Sequence, residues 1–205
     1  MTALTSICVY CGSSEGVDPI YATEAERLGR AMGDAGIRLV YGGGSIGLMG
    51  IVARSVMASG GRVTGIIPGF LKTREVMLES AHELLVTEDM HQRKRAMFER
   101  ADAFVALPGG IGTLEELVEM MTWAQLGQHK KPVLIANING FWDPFVALLR
   151  HMTQEGFVRG GFEIDYLVAD TVSEIIPAIR VALAGDAGKP RASRLAEPAI
   201  PAGGV

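Results

Sequence analysis

Cysteine, histidine and aromatic residues are scarce in this 205-residue chain: 2 Cys, 4 His and 6% Phe, Trp and Tyr. Two cysteines cannot build a disulfide scaffold. Cys8 and Cys11 are close together, but Cys8 lies inside the strand-like run Ile7-Cys8-Val9-Tyr10 rather than at a helix start, and no second Cys/His pair completes a zinc set. Both read as buried or half-buried thiols. His91 has no clear metal partner among His82, His129 and His151 and reads as a solvent-facing or capping residue. No metal site is expected.

Long apolar runs and an excess of basic charge are missing too. No uninterrupted run approaches the roughly 20 residues of a membrane helix, so no membrane association is expected. Met1 to Ser6 lacks a basic segment followed by an apolar core, which points to a cytoplasmic protein. Net charge is −4 with no basic tail, which argues against general nucleic-acid binding. Any basic function must be local, and Arg93-Lys94-Arg95 is the one cluster that stands out.

What is present is apolar sequence, 48% of the chain, cut by 26 glycines into short strand-like and longer helix-like pieces. Strand patterns at Ser6–Tyr10, Ile37–Tyr41, Arg62–Ile67, His82–Thr87, Ala103–Leu107, Pro132–Ala136 and Tyr166–Val168 alternate with helical ones. Asp18 and Pro19 open the first helix; others are read at Ile51–Ser59, Asp89–Arg100, after Gly112, at Asp143–Thr153 and at Ser173–Ala184 with Ser173 as cap. Phe70–Ser80 reads as a short helix or a mobile segment over a site. The near-continuous apolar strands predict an α/β, Rossmann-like parallel sheet with helices on both faces, one domain spanning 1–185. From 186 to 205 the Gly, Ala, Pro and Arg composition predicts a disordered tail.

One stretch carries chemistry. Pro108-Gly109-Gly110-Ile111-Gly112-Thr113-Leu114-Glu115-Glu116 follows an apolar strand and opens a helix. Its three glycines permit a sharp turn and close approach to a ligand, and a helix N-terminus offers free N–H groups to an anion, most simply a phosphate. Thr113 can cap the helix or donate to the phosphate, and Glu115 and Glu116 are read in the first turn, where carboxylates suit the dipole. A second glycine loop, Gly42-Gly43-Gly44-Ser45-Ile46-Gly47, fits the dinucleotide pattern only loosely and lacks a ribose-binding acid on the next strand. It serves either approach of a mononucleotide or helix-to-sheet packing. Three consecutive cations are by default a solvated helix face, yet residues about 100° apart cannot all point outward together, so at least one of Arg93, Lys94 and Arg95 can face inward.

With Met90-His91-Gln92-Arg93-Lys94 and the Pro108–Glu116 motif, the chain resembles the Lonely Guy (LOG) family of cytokinin-activating phosphoribohydrolases, often labelled lysine decarboxylases. The resemblance extends from Cys8–Ser14 through Val40–Gly50 to Thr122–Gly127 and about residue 180. It implies a Rossmann-like homodimer that hydrolyses the N-glycosidic bond of a purine nucleoside 5′-monophosphate, AMP or a cytokinin ribotide, to free base and ribose 5-phosphate, with no cofactor. Matched by position, Arg93 and Glu116 would be catalytic. Glu75, Lys94, Gly109, Gly110, Ile111, Gly112, Thr113, Leu114, Glu115 and Thr122 would bind substrate. Ile111 stands where the family often has tyrosine, so a hydroxyl contact there is lost. Met49, Met90 and Met97 are candidates for a base pocket, and Trp123 and Leu126 for core or interface. The alternatives are an AMP-binding carrier or sensor with little catalysis, and an NAD(P)-dependent enzyme, to which the missing acid is the main objection.

Overall fold

The structure, a computed structural model, describes residues 3–71, 78, 81–159, 161 and 163–185. The expected tail at 186–205 and the substrate candidate Glu75 lie outside the described residues, as does most of Phe70–Ser80.

Seven parallel strands form one sheet: β1 Ser6–Tyr10, β2 Arg38–Tyr41, β3 Val63–Pro68, β4 Glu83–Thr87, β5 Ala103–Ala106, β6 Val133–Ala136 and β7 Leu167–Ala169. Their order is β4-β3-β2-β1-β5-β6-β7. The helices between them are α1 Pro19–Asp34, α2 Gly47–Ala58, α3 Met90–Glu99, α4 Ile111–Gln125, α5 Asp143–Gln154 and α6 Val172–Leu183. β1, β3, β5 and β6 are buried along their whole length because helices cover both faces. One core layer joins the sheet to α1, α2 and α6, and the other joins it to α3, α4 and α5. The α/β reading therefore holds.

Local chemistry explains most boundaries. Asp18 accepts from the Ile20 N–H at 3.0 Å and Pro19 occupies the first turn, as read from sequence. Two readings need correction. α6 is capped by Thr171, not Ser173, through a reciprocal pairing with Glu174. α2 starts at Gly47, not Ile51, even though glycine disfavours helix interiors. Packing overrides propensity here: Gly47 has φ 59° and lies on the Ser13 backbone, and at Gly50 a side chain would collide with the Ser45 carbonyl.

The chain turns from one side of the sheet to the other between β1 and β5. In an open parallel sheet the loops at this switch point diverge and leave a crevice at the C-terminal strand ends. Gly12 N–H donates to the Pro108 carbonyl at 3.1 Å across that point, and Met49 N–H donates to the Gly12 carbonyl at 3.3 Å. Three sequence-distant glycine loops are thereby brought to one edge.

Candidate active site

The Pro108–Glu116 glycine motif sits at this edge. Gly110 is the N-cap of α4 and Ile111 its first residue, with no side-chain cap bond. Thr113 is therefore not the cap; it is a buried third helical residue whose hydroxyl packs where a Gly109 side chain would go. None of Gly109, Gly110 and Gly112 has positive φ, so the turn needs no left-handed backbone. Gly109 is required by its packing on Thr113 and on Gly12, whereas side chains at Gly110 and Gly112 would meet nothing within 4 Å. Those two positions leave open space in front of the helix N-terminus, where N–H groups are available to an anion. Ile111 is 81% exposed beside them, and Leu114 is half-buried against the α3–α5 side core.

Glu115 and Glu116 lie in the second turn of α4, and the first turn holds no acid. Dipole stabilisation fades after one turn, so the helix dipole does not account for either carboxylate. Each instead meets a cation from α3. Lys94 Nζ donates to Glu115 at 2.7 Å and pairs with Glu119 at 3.0 Å. Burial works against the Lys94 ammonium, but the two carboxylates outweigh it and raise its pKa above the ordinary value. Glu119 was not singled out from sequence; its place four residues after Glu115, on the same helix face, was the available signal.

Arg93 is the buried member of the basic cluster, 6% exposed, while Arg95 faces solvent and pairs with Glu99. Nη2 of Arg93 stands 3.7 Å from Glu116 Oε1. Nη1 donates to the Met90 sulfur at 3.8 Å, and Nε has no hydrogen-bond partner among the described residues. A guanidinium offers five donors, and a thioether is a weak acceptor, so among the described residues this cation's hydrogen-bonding capacity is not used up. Behind the site, burial pushes the Cys8 thiol and Tyr10 hydroxyl well above their ordinary pKa values, so neither ionises beside Glu116. Both cysteines are free and buried, as expected.

The other candidates divide. Met49 and Met90 border Arg93, but Met97 belongs to the core beneath the sheet. Trp123 packs edge-on against Phe98 with centroids 5.2 Å apart, and Leu126 is exposed. Thr122 is exposed and its hydroxyl donates to the Val118 carbonyl at 2.7 Å. It lies nine residues after Thr113, roughly 14 Å along the helix, so within one chain it is not gathered with the loop. His91 faces solvent, and among the described residues no group of His, Cys, Asp or Glu could hold a metal ion. No described helix is long and apolar enough to cross a membrane.

Fold and site together define a doubly wound α/β protein with an open glycine loop at a helix N-terminus and a largely hidden Arg–Glu pair at its switch point. A family model described as "Possible lysine decarboxylase" matches residues 49–179. The cytokinin riboside 5′-monophosphate phosphoribohydrolase LOG of Oryza sativa subsp. japonica is 49% identical over 170 residues, covering 83% of this chain and 70% of that protein. The cytokinin riboside 5′-monophosphate phosphoribohydrolase LOG7 of Arabidopsis thaliana is 49% identical over 152 residues, covering 74% of this chain and 70% of that protein. The chain belongs to the LOG family. Among solved structures, a molybdenum cofactor carrier protein from Chlamydomonas reinhardtii superposes with a TM-score of 0.66 at 22% identity, covering 89% of this chain and 99% of that one, a likeness of fold alone.

Among the described residues no lysine suits the decarboxylase description. A lysine that forms a Schiff base needs a depressed pKa and a place at the ligand edge. Lys94 is at that edge but held protonated by Glu115 and Glu119. Lys131, whose burial lowers its pKa, precedes β6 at the opposite edge and donates to the Phe98 carbonyl at 2.7 Å. Lys130 is exposed.

Proposed function

We propose that this protein hydrolyses the N-glycosidic bond of a purine nucleoside 5′-monophosphate, AMP or a cytokinin ribotide. The observation that carries the reading is the buried Arg93 guanidinium facing Glu116 beside an open glycine loop at the switch point. The names of its LOG relatives in rice and Arabidopsis support the same chemistry.

In this reading the 5′-phosphate rests on the N–H groups at Gly110–Thr113. The bond from ribose C1′ to the base nitrogen breaks while a water oxygen bonds to C1′; one of the water's protons stays on the new C1′ hydroxyl and the other ends on the base nitrogen. Positive charge on the sugar in the transition state is stabilised by the Glu116 carboxylate, which also orients the attacking water. Arg93 holds substrate or stabilises negative charge developing on phosphate or base. Lys94 acts by anchoring Glu115 and Glu119, and no cofactor enters the scheme.

The active form is a homodimer in this proposal. Ile111, Val118 and Leu126 are exposed and fall with Glu115 and Thr122 on one face of α4, so pairing through that face would cover apolar surface and give Thr122 a role across the interface. Free thiols suit a cytoplasmic location. The test incubates purified protein with AMP and with isopentenyladenosine monophosphate and follows base and ribose 5-phosphate chromatographically. Release of both products supports the reading; binding of either nucleotide without release over hours favours a carrier instead.

A further inference from the structure

Gly42 directly follows β2, is buried, and is not among the glycines with positive φ, so its backbone does not require glycine. What requires it is the Arg93 guanidinium. A Cβ built on Gly42 would collide with Nη2 of Arg93, lie 3.4 Å from its Cζ, and lie 3.3 Å from the Met49 sulfur. The guanidinium thus rests on the bare Cα of Gly42, with the Met90 sulfur 3.8 Å from Nη1 and the Glu116 carboxylate 3.7 Å from Nη2. Among the described residues few strong acceptors orient this cation, and Nε has none. Shape must then do what hydrogen bonds do elsewhere.

We propose that Gly42 is a positioning residue for the nucleotide hydrolysis described above, its missing side chain forming the seat that aims Arg93 at Glu116 and substrate. The proposal rests on Arg93 being catalytic. The second glycine loop is then divided in its work: Gly47 and Gly50 pack on backbone, where a side chain meets the chain itself, whereas the three atoms nearest a Cβ at Gly42 all belong to flexible side chains. An alanine there is accommodated by the fold but displaces the guanidinium, and a misplacement of about 1 Å at a reacting centre costs on the order of 10²-fold in rate.

The test compares wild type, Gly42→Ala, Arg93→Lys and the double variant for kcat and KM with AMP and for melting temperature. Gly42→Ala is expected to lower kcat by about 10- to 100-fold. In the Arg93→Lys background, where no forked tip meets the added methyl group, the same change is expected to cost less than about twofold. An equal loss in both backgrounds, or wild-type kcat in Gly42→Ala, overturns the seat. Where Arg93→Lys is too slow to follow, the cycle is read in melting temperature: a cost of Gly42→Ala confined to the Arg93 background supports the seat, and an equal cost in both overturns it. Wild-type activity in Arg93→Lys and in Arg93→Ala would instead refute the role of Arg93 itself.

Discussion

Arg93 and Glu116 come from different helices and meet at 3.7 Å, an ion-pair distance longer than a hydrogen bond, in a place where both side chains are largely hidden from solvent. A buried pair held at this separation is poorly optimised for stability, because desolvation is only partly offset when the two groups do not bond directly. Arg93 Nε, which has no hydrogen-bond partner among the described residues, leaves a donor for a substrate group. Arg93→Ala and Glu116→Gln are each expected to lower kcat for base release by about 10²- to 10⁴-fold. Steady-state assays with AMP check this, and full activity in both variants would sink the assignment.

Gly110 and Gly112 are open where Gly109 is packed. Alanine at Gly112 is expected to leave folding unchanged or to raise stability by up to about 1 kcal/mol through helix propensity. The same change places a methyl group in the anion cradle, with KM for AMP rising about tenfold, equivalent to about 1.4 kcal/mol. Thermal melts and initial rates separate the two effects; an unchanged KM would remove the loop from phosphate binding.

Gly47 behaves in the opposite way. Its φ of 59° disfavours any side chain, and a Cβ would run into the Ser13 backbone. Gly47→Ala is expected to destabilise the protein by about 2–4 kcal/mol. Denaturant titration measures it, and a loss under about 0.5 kcal/mol, the range of neutral surface changes, contradicts the packing described.

Asp102, just ahead of β5, ties the far edge of the sheet. Its Oδ2 accepts from the N–H groups and hydroxyls of Thr5 and Ser6 at 2.8 to 3.0 Å. Partial burial pushes its pKa up, but these hydrogen bonds outweigh it and the net shift is downward. The folded pKa is below the unfolded one, so the stabilisation is present above the ordinary value of 3.8 and is lost as pH falls through the lower folded value. Asp102→Ala is expected to cost about 1–2 kcal/mol at pH 7 after allowance for solvent screening. The gap between variant and wild type should close below pH 3.8 in urea titrations run across the acid range. A gap independent of pH would show that the carboxylate charge contributes nothing.

Alternation of apolar strands with helical patterns, the Asp18–Pro19 helix start and the glycine motif were legible in the sequence by itself, because each depends on residues within a few positions of one another. So was the conclusion that the basic cluster cannot all face outward, since helix geometry decides it. Helix geometry did not say which cation turned inward; only the family resemblance pointed to Arg93. Arg93 is buried because α3 packs against β3 and β4 and Gly42 leaves room for its guanidinium, a contact between distant parts of the chain. The start of α2 at Gly47 was hidden because the packing of Gly47 on Ser13 overrides a poor local propensity. Tertiary structure also decided the strand order. By setting β5 beside β1 it joined Gly12 to Pro108 and brought Glu116 from the second turn of its helix to Arg93. Local periodicity states which face of each element is apolar; which elements share that core is settled only when they compete to bury it together.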